Sequence, residues 1–136
     1  MEDMLKNVSR LIDLRSHSTG GLTNDHGVRE FAVIGGYSHS EGMPSGRISR
    51  PHNFQLRRLM LDPAATIAQH SRQEPEVLFI HHGSLKIITE EGSFTLGAGD
   101  LFTCPIDLAR GFINDGNEIA DIIVLRGGDH PSAAKF

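Results

Sequence analysis

The chain contains one cysteine, Cys104, no tryptophan and a single tyrosine. A lone thiol excludes an internal disulfide framework. No apolar run approaches the roughly 18 residues that a membrane-spanning helix needs. There is no basic block: 13 Lys and Arg stand against 17 Asp and Glu, for a net charge of −4. That balance gives no electrostatic footprint for nucleic acid or an anionic membrane, so neither is expected as a partner. The first residues, Met-Glu-Asp-Met-Leu-Lys, carry acids where a secretion signal wants bases. The expectation is a soluble, cytoplasmic protein, in which the sequon Asn7-Val8-Ser9 is chance. At 136 residues the chain is about one domain long and can bury a core without a structural metal.

What is present is β-rich. FQLRRLML, TIAQH, EVLFI, LKIIT, GSFTL, DLFTC, RGFIN and ADIIVL follow one another from Phe54, with turn residues between them at Asp62-Pro63, His82-Gly83, Glu91-Gly92, Gly97 to Asp100, Pro105 and Asp115-Gly116. Short strands at close spacing predict an all-β sandwich or barrel, and the lack of intervening helical patterns excludes a βαβ sheet. Ahead of them, Met4, Leu5, Val8, Leu11 and Ile12 recur at helical spacing behind Asp3, predicting a short helix at about 3–14. VREFAVI (28–34) reads as a strand that pairs with an edge of its own barrel or of a partner's. Residues 1–53 are thus an N-terminal helix and extension, 54–126 the barrel, and 127–136 a loose C-terminal tail. Of the eight histidines only His81 and His82 are neighbours, and both are expected in solvent at a hairpin.

The spacing of two segments resembles the cupin superfamily. Its first motif, G-x5-H-x-H-x3-E-x6-G, falls on Ala64, His70, Arg72, Glu76 and Gly83 without a gap. Its second, G-x5-P-x-G-x2-H-x3-N, falls on Gly99, Pro105, Asp107, Arg110 and Asn114 with every spacing kept. The resemblance implies a jelly-roll β-barrel (a double-stranded β-helix) with a pocket at one mouth, and a homodimer. It also implies that positions 70, 72, 76 and 110 would hold a divalent metal such as Fe, Mn, Ni or Zn. Strand alternation points 70 and 72 to one face, and 76, 78 and 80 likewise.

At those four positions the chain departs from the family. Arg72 and Arg110 stand where imidazoles belong, leaving only His70 and Glu76 as donors. Guanidinium has no lone pair to give and stays protonated. Two unit charges at 4 Å interact by roughly 4 kcal/mol at an effective dielectric of 20, and a dication doubles the repulsion. No metal cofactor is therefore expected. A rescue would need His39 or His52 to arrive from the extension, which no spacing supports. The expected pocket instead holds His70 and Glu76 as an acid/base couple, with Arg72, Arg110, Phe112 and Asn114 binding ligand. Either arginine has an alternative role as the counter-ion that a buried Glu76 requires. Cys104 reads as a small core hydrophobe, Asp107 as a turn residue, and Phe79 as packing outside the barrel.

Three functions compete. The first is a metal-independent enzyme of isomerase, cyclase or lyase type acting on a small anionic or polar organic molecule. The second is a non-catalytic binding or accessory cupin. The third is a metal-dependent dioxygenase or isomerase. The first is placed ahead because two arginines in a barrel mouth are costly to hold without a use.

Overall fold

The computed structural model describes residues 2–5, 7–10, 16–17, 27–35, 52–128 and 134–136. Its elements are α1 (Glu2–Leu5), β1 (Ser16–His17), β2 (Val28–Ile34), β3 (Phe54–Leu61), β4 (Thr66–His70), β5 (Glu76–His82), β6 (Ser84–Thr89), β7 (Gly92–Gly97), β8 (Leu101–Cys104), β9 (Arg110–Ile113) and β10 (Ala120–Gly127). All pairings are antiparallel, in a six-stranded sheet of order β1-β2-β3-β10-β5-β8 and a four-stranded sheet of order β4-β9-β6-β7. This is the expected all-β jelly roll. Among the described residues no helix is long and apolar enough to cross a membrane.

Alternation on three adjacent strands builds the interior in ranks. β3 turns Gln55, Arg57, Leu59 and Leu61 inward, β10 turns Ala120, Ile122, Val124 and Arg126, and β5 turns Glu76, Leu78 and Ile80. The register aligns like with like: Arg126 lies opposite both Gln55 and Glu76, whereas Ile122 lies opposite Leu59 and Ile80. The apolar ranks merge with Ile67, Leu85, Ile87 and Phe112 into one core. Each such buried side chain contributes about 1.5–3 kcal/mol. One end of the barrel is therefore hydrocarbon and the other charged. Phe79, in the opposite phase of β5, faces outward as expected.

Three features depart from the sequence reading or refine it. The helix expected at about 3–14 is a single turn, Glu2–Leu5, followed by a turn at Asn7 and non-helical residues to Arg10; residues 11–14 lie outside those described. Met4, Leu5 and Val8 are exposed, so the described part of the segment buries no apolar face, and short helices are marginal without one. The C-terminal tail is not loose at its end: Lys135 exchanges both backbone hydrogen bonds with Ser71, and Ala134 packs on the core. VREFAVI takes the intrachain option, with Val28 opposite Leu61 and Ile34 opposite Leu56 on β3.

Two positions where the cupin motifs carry glycine keep a left-handed backbone here without it. Ala64 has φ +70° and Asp107 has φ +66°. Asp107 suits the turn, because its Oδ1 accepts from Gln73 Nε2 at 2.8 Å and its amide donates to the Arg72 carbonyl. Ala64 has no such compensation from its side chain. Ala64→Gly is expected to raise stability by about 0.5–1 kcal/mol, seen as a higher urea midpoint with unchanged slope.

Candidate functional site

A bulge prepares the site. Ile67 pairs with Phe112 and His70 with Arg110, so three steps along β4 meet two along β9. Ile67 and His70 consequently both face inward despite their odd spacing, and Ala68 and Gln69 face solvent. The same bend brings the Ala68 carbonyl within 2.8 Å of His70 Nδ1. A carbonyl only accepts, so Nδ1 carries the hydrogen and Nε2 holds the lone pair. The ring meets Phe112 edge-on at 5.8 Å and Phe136 at 5.7 Å.

Beside it, Glu76 sits in a cage of arginines. Arg110 Nη2 donates to Oε1 at 2.8 Å, Arg126 Nε donates to Oε2 at 2.7 Å, and Arg72 Nε stands 3.6 Å from Oε2. The network extends to Glu30, reached by Arg57 at 3.4 Å and Arg126 at 3.5 Å, and to Glu74, 3.8 Å from Arg72. Among the described residues Arg57, Arg72, Arg110 and Arg126 thus interlock with Glu30, Glu74 and Glu76 in one buried network. Burial favours a protonated Glu76, but Arg126 and Arg110 outweigh it and hold the carboxyl at about 2. Burial lowers the Arg72 pKa to about 10, with Arg126 adding to the fall. Glu76 is therefore a permanent counter-ion with both oxygens occupied, not half of an acid/base couple.

His70 behaves in the opposite way. Burial lowers its pKa to about 4 against the Nδ1 hydrogen bond, with Arg110 and Arg72 pressing in the same direction as burial. The imidazole is neutral at pH 7. Its unfolded value is near 6.5, so between 6.5 and 4 the unfolded chain binds more protons and stability rises with pH. The contribution is fully present above 6.5, is lost as pH falls through 4, and amounts to about 3 kcal/mol. Urea unfolding at pH 7 and 4.5 is expected to show wild type losing about 2–3 kcal/mol more than His70→Asn across that interval.

His70, Glu76 and Phe112 share a cavity with Glu30 and Arg126 on its charged side. Leu59, Ile67, Leu78 and Val124 complete the apolar side. The enclosed space is about 10 Å³, close to what one water needs. Arg72 and Arg110 are where the spacing predicted, buried against Glu76. Asn114 is not. It lies past the far end of β9, where Nδ2 donates to the carbonyls of Leu61 (2.9 Å) and Glu118 (2.7 Å), and Oδ1 accepts from Gly116 (3.0 Å). Every bond goes to backbone, so Asn114 pins a turn rather than a ligand. Asn114→Ala is expected to cost about 3 kcal/mol of stability in chemical unfolding, one contribution per hydrogen bond lost.

The sequence reading missed Arg57, Arg126, Glu30, Glu74 and Gln55. For the first two the signal was available in strand phase: Arg57 alternates with Leu59 and Leu61, and Arg126 with Ile122 and Val124. Cys104 is buried and burial pushes its thiol up to about 11, as suits a core residue. His81 and His82 are exposed.

The four positions that would hold a metal do not fit one. Two present guanidiniums, and the carboxylate is already bonded to two arginines. Among the described residues no group of three or more His, Cys, Asp and Glu is placed to bind an ion. His52 lies against Phe54 at 5.8 Å, and His39 falls outside the described residues.

No curated protein sequence matches the chain. Among solved structures it is similar to the polyketide cyclase RemF from Streptomyces resistomycificus (12% identity, TM-score 0.71, covering 94% of this chain and 82% of that one). It is also similar to a cupin-superfamily sugar phosphate isomerase from Silicibacter pomeroyi (17%, 0.68, 88% and 74%). A third likeness is to KdgF from Halomonas sp. (13%, 0.63, 88% and 92%). At such identities the likeness establishes fold alone. Residues 57–126, which include His70, Glu76 and all four interior arginines, match the family described as Cupin domain. With a jelly-roll barrel around them and both motif spacings intact, the chain belongs to the cupin family.

Proposed function

We propose that this chain is a metal-independent cupin that binds a small anionic organic molecule inside the barrel and moves a proton on it, as an isomerase, cyclase or lyase does. A buried imidazole carries the reading: it is neutral at pH 7, holds its lone pair on Nε2 and stands beside buried guanidiniums. Two buried donors support it. Gln55 Nε2 and Arg110 Nε have no hydrogen-bond partner among the described residues, and an oxyanion is what such donors bind.

In this reading His70 Nε2 takes a proton from a carbon next to a carbonyl or carboxyl group. The C–H bond breaks, its electron pair moves onto the oxygen, and the arginines stabilise the enolate. The imidazolium then returns the proton at another carbon or to a leaving group. Glu76 keeps the guanidiniums in place and transfers no proton. Two of the structural neighbours are named as a cyclase and an isomerase.

The test is a panel of small enolisable acids in D2O with proton NMR detection. Wild type is expected to exchange the activated C–H of at least one member 10²–10⁴ times faster than His70→Asn, and chelator is expected to leave that rate unchanged. Saturable binding with no exchange would establish the non-catalytic binding cupin instead. Loss of exchange on chelation would establish a metal-dependent enzyme.

A further inference from the structure

We propose that the end of the barrel away from His70 carries a second site, a cleft that binds a small amine bearing hydroxyl groups. It is independent of the reaction proposed above. β5 runs from Glu76 at one end to His82 at the other, about 20 Å of strand.

Three connections wall the cleft. They are the passage from β5 to β6 with His82 and Ser84, the β7–β8 turn with Ala98, and the β9–β10 loop with Gly116, Asn117 and Glu118. The space between them is about 290 Å³, near the lower end for small-molecule pockets. The loop is set before any ligand arrives. Asn114, fully buried, holds both the Glu118 carbonyl and the Gly116 amide. Gly116 lies so close to β6 that a Cβ on it would stand 3.1 Å from Ser84 Oγ. A wall already in place loses little binding free energy to ordering.

Charge selects the class of ligand. Glu118 supplies a carboxylate, and among the described residues no Lys or Arg lines the cleft. A carboxylate or phosphate would meet Glu118 with no guanidinium or ammonium to offset it. A hydrocarbon would find only Ala98 and glycine methylenes. An ammonium has a partner: the Glu118 carboxylate lies 3.3 Å from His82 Nε2 and keeps lone pairs for a further donor.

The pair alone is not enough. Glu118 is 64% exposed, and an exposed ion pair is too weak to hold a ligand by itself. The remaining bonds fall to Ser84 and Asn117. An ammonium only donates, whereas the Asn117 amide N–H2 and the Ser84 hydroxyl also donate and need acceptors. Hydroxyl oxygens on the ligand supply them.

Four chains of six carbons separate these requirements when titrated into the full protein and followed through its backbone amide NMR signals. Glucamine has both charge and hydroxyls, sorbitol has hydroxyls alone, hexylamine has charge alone, and gluconate has hydroxyls with the opposite charge. Glucamine is expected to shift the Ser84, Gly116 and Asn117 amides with a Kd at least about tenfold below that of each of the others. Glu118→Gln is expected to weaken it about tenfold, and His70→Asn to leave it unchanged. Sorbitol or hexylamine within tenfold of glucamine would overturn the class of ligand, and gluconate within tenfold would overturn the role of Glu118. Weakening by His70→Asn would overturn the independence of the two ends. No shift of these amides by glucamine at about 50 mM would overturn the site itself.

Discussion

Glu76→Gln is expected to lower stability by about 3–5 kcal/mol, and the melting temperature by roughly 10–20 °C. The shape hardly changes, so the effect is electrostatic. The amide keeps one oxygen acceptor but turns an N–H2 group toward the second guanidinium, donor against donor. One negative charge is lost from among three guanidiniums, at a place where Arg110 and Glu76 have almost no contact with solvent. Removing one partner of a buried ion network costs far more than the network is worth against a hydrocarbon replacement. That asymmetry supplies the control. Adding Arg126→Met to Glu76→Gln removes a guanidinium left facing the amide, and the double variant is expected to recover at least a third of the loss. Guanidinium unfolding of the four species closes the cycle, and a strictly additive result would show that the two side chains do not act as a pair.

Gly83→Ala ranks next, at about 3 kcal/mol or more, through geometry alone. Gly83 turns the β5–β6 hairpin with φ +79°, and an added Cβ would stand 2.5 Å from the Ile119 carbonyl oxygen and 3.1 Å from Ala120 Cα. Both neighbours are backbone, in or beside β10, and cannot swing aside as a side-chain end would. Left-handed strain adds about 1–2 kcal/mol. Gly99→Ala isolates that part, since Gly99 has φ +93° and nothing within 4 Å of its absent Cβ. Thermal melts are expected to place the Gly83 variant at least twice as far below wild type as the Gly99 variant. Equal shifts would mean that the hairpin yields around the methyl group.

Much of this was legible in the residues. Short β-rich runs and turn signals carry the fold class, and motif spacing carries the positions of His70, Arg72, Glu76 and Arg110. What escaped was whatever depends on where a strand stops or which strands lie side by side. Asn114 shares a phase with Arg110, but four residues at about 3.3 Å each put it roughly 13 Å away, at the other mouth. Arg126 sits near the end of the last strand and meets Glu76 only because β10 lies between β3 and β5. Glu30 joins because β2 pairs with β3, an option the sequence left open between self and partner. The short helix and the anchored end of the tail were misread for a related reason. Local spacing shows what a segment can form, whereas burial of its apolar face decides whether it does.

The chain separation of the ionic partners has a kinetic consequence. Glu76 finds Arg110 34 residues away and Arg126 50 away, and Arg126 reaches Glu30 across 96. Closing loops of that length precedes any reward from the contact, so these bonds are expected to form after the barrel's hairpins, and stopped-flow kinetics of Glu76→Gln is expected to show faster unfolding with refolding nearly unchanged. Interactions absent at the barrier act on escape from the native state and leave the rate of reaching it nearly unchanged. On that expectation the charged mouth is a clasp on a finished object: it would govern how long a folded molecule survives against heat or proteolysis, and have little influence on how quickly a new one is made.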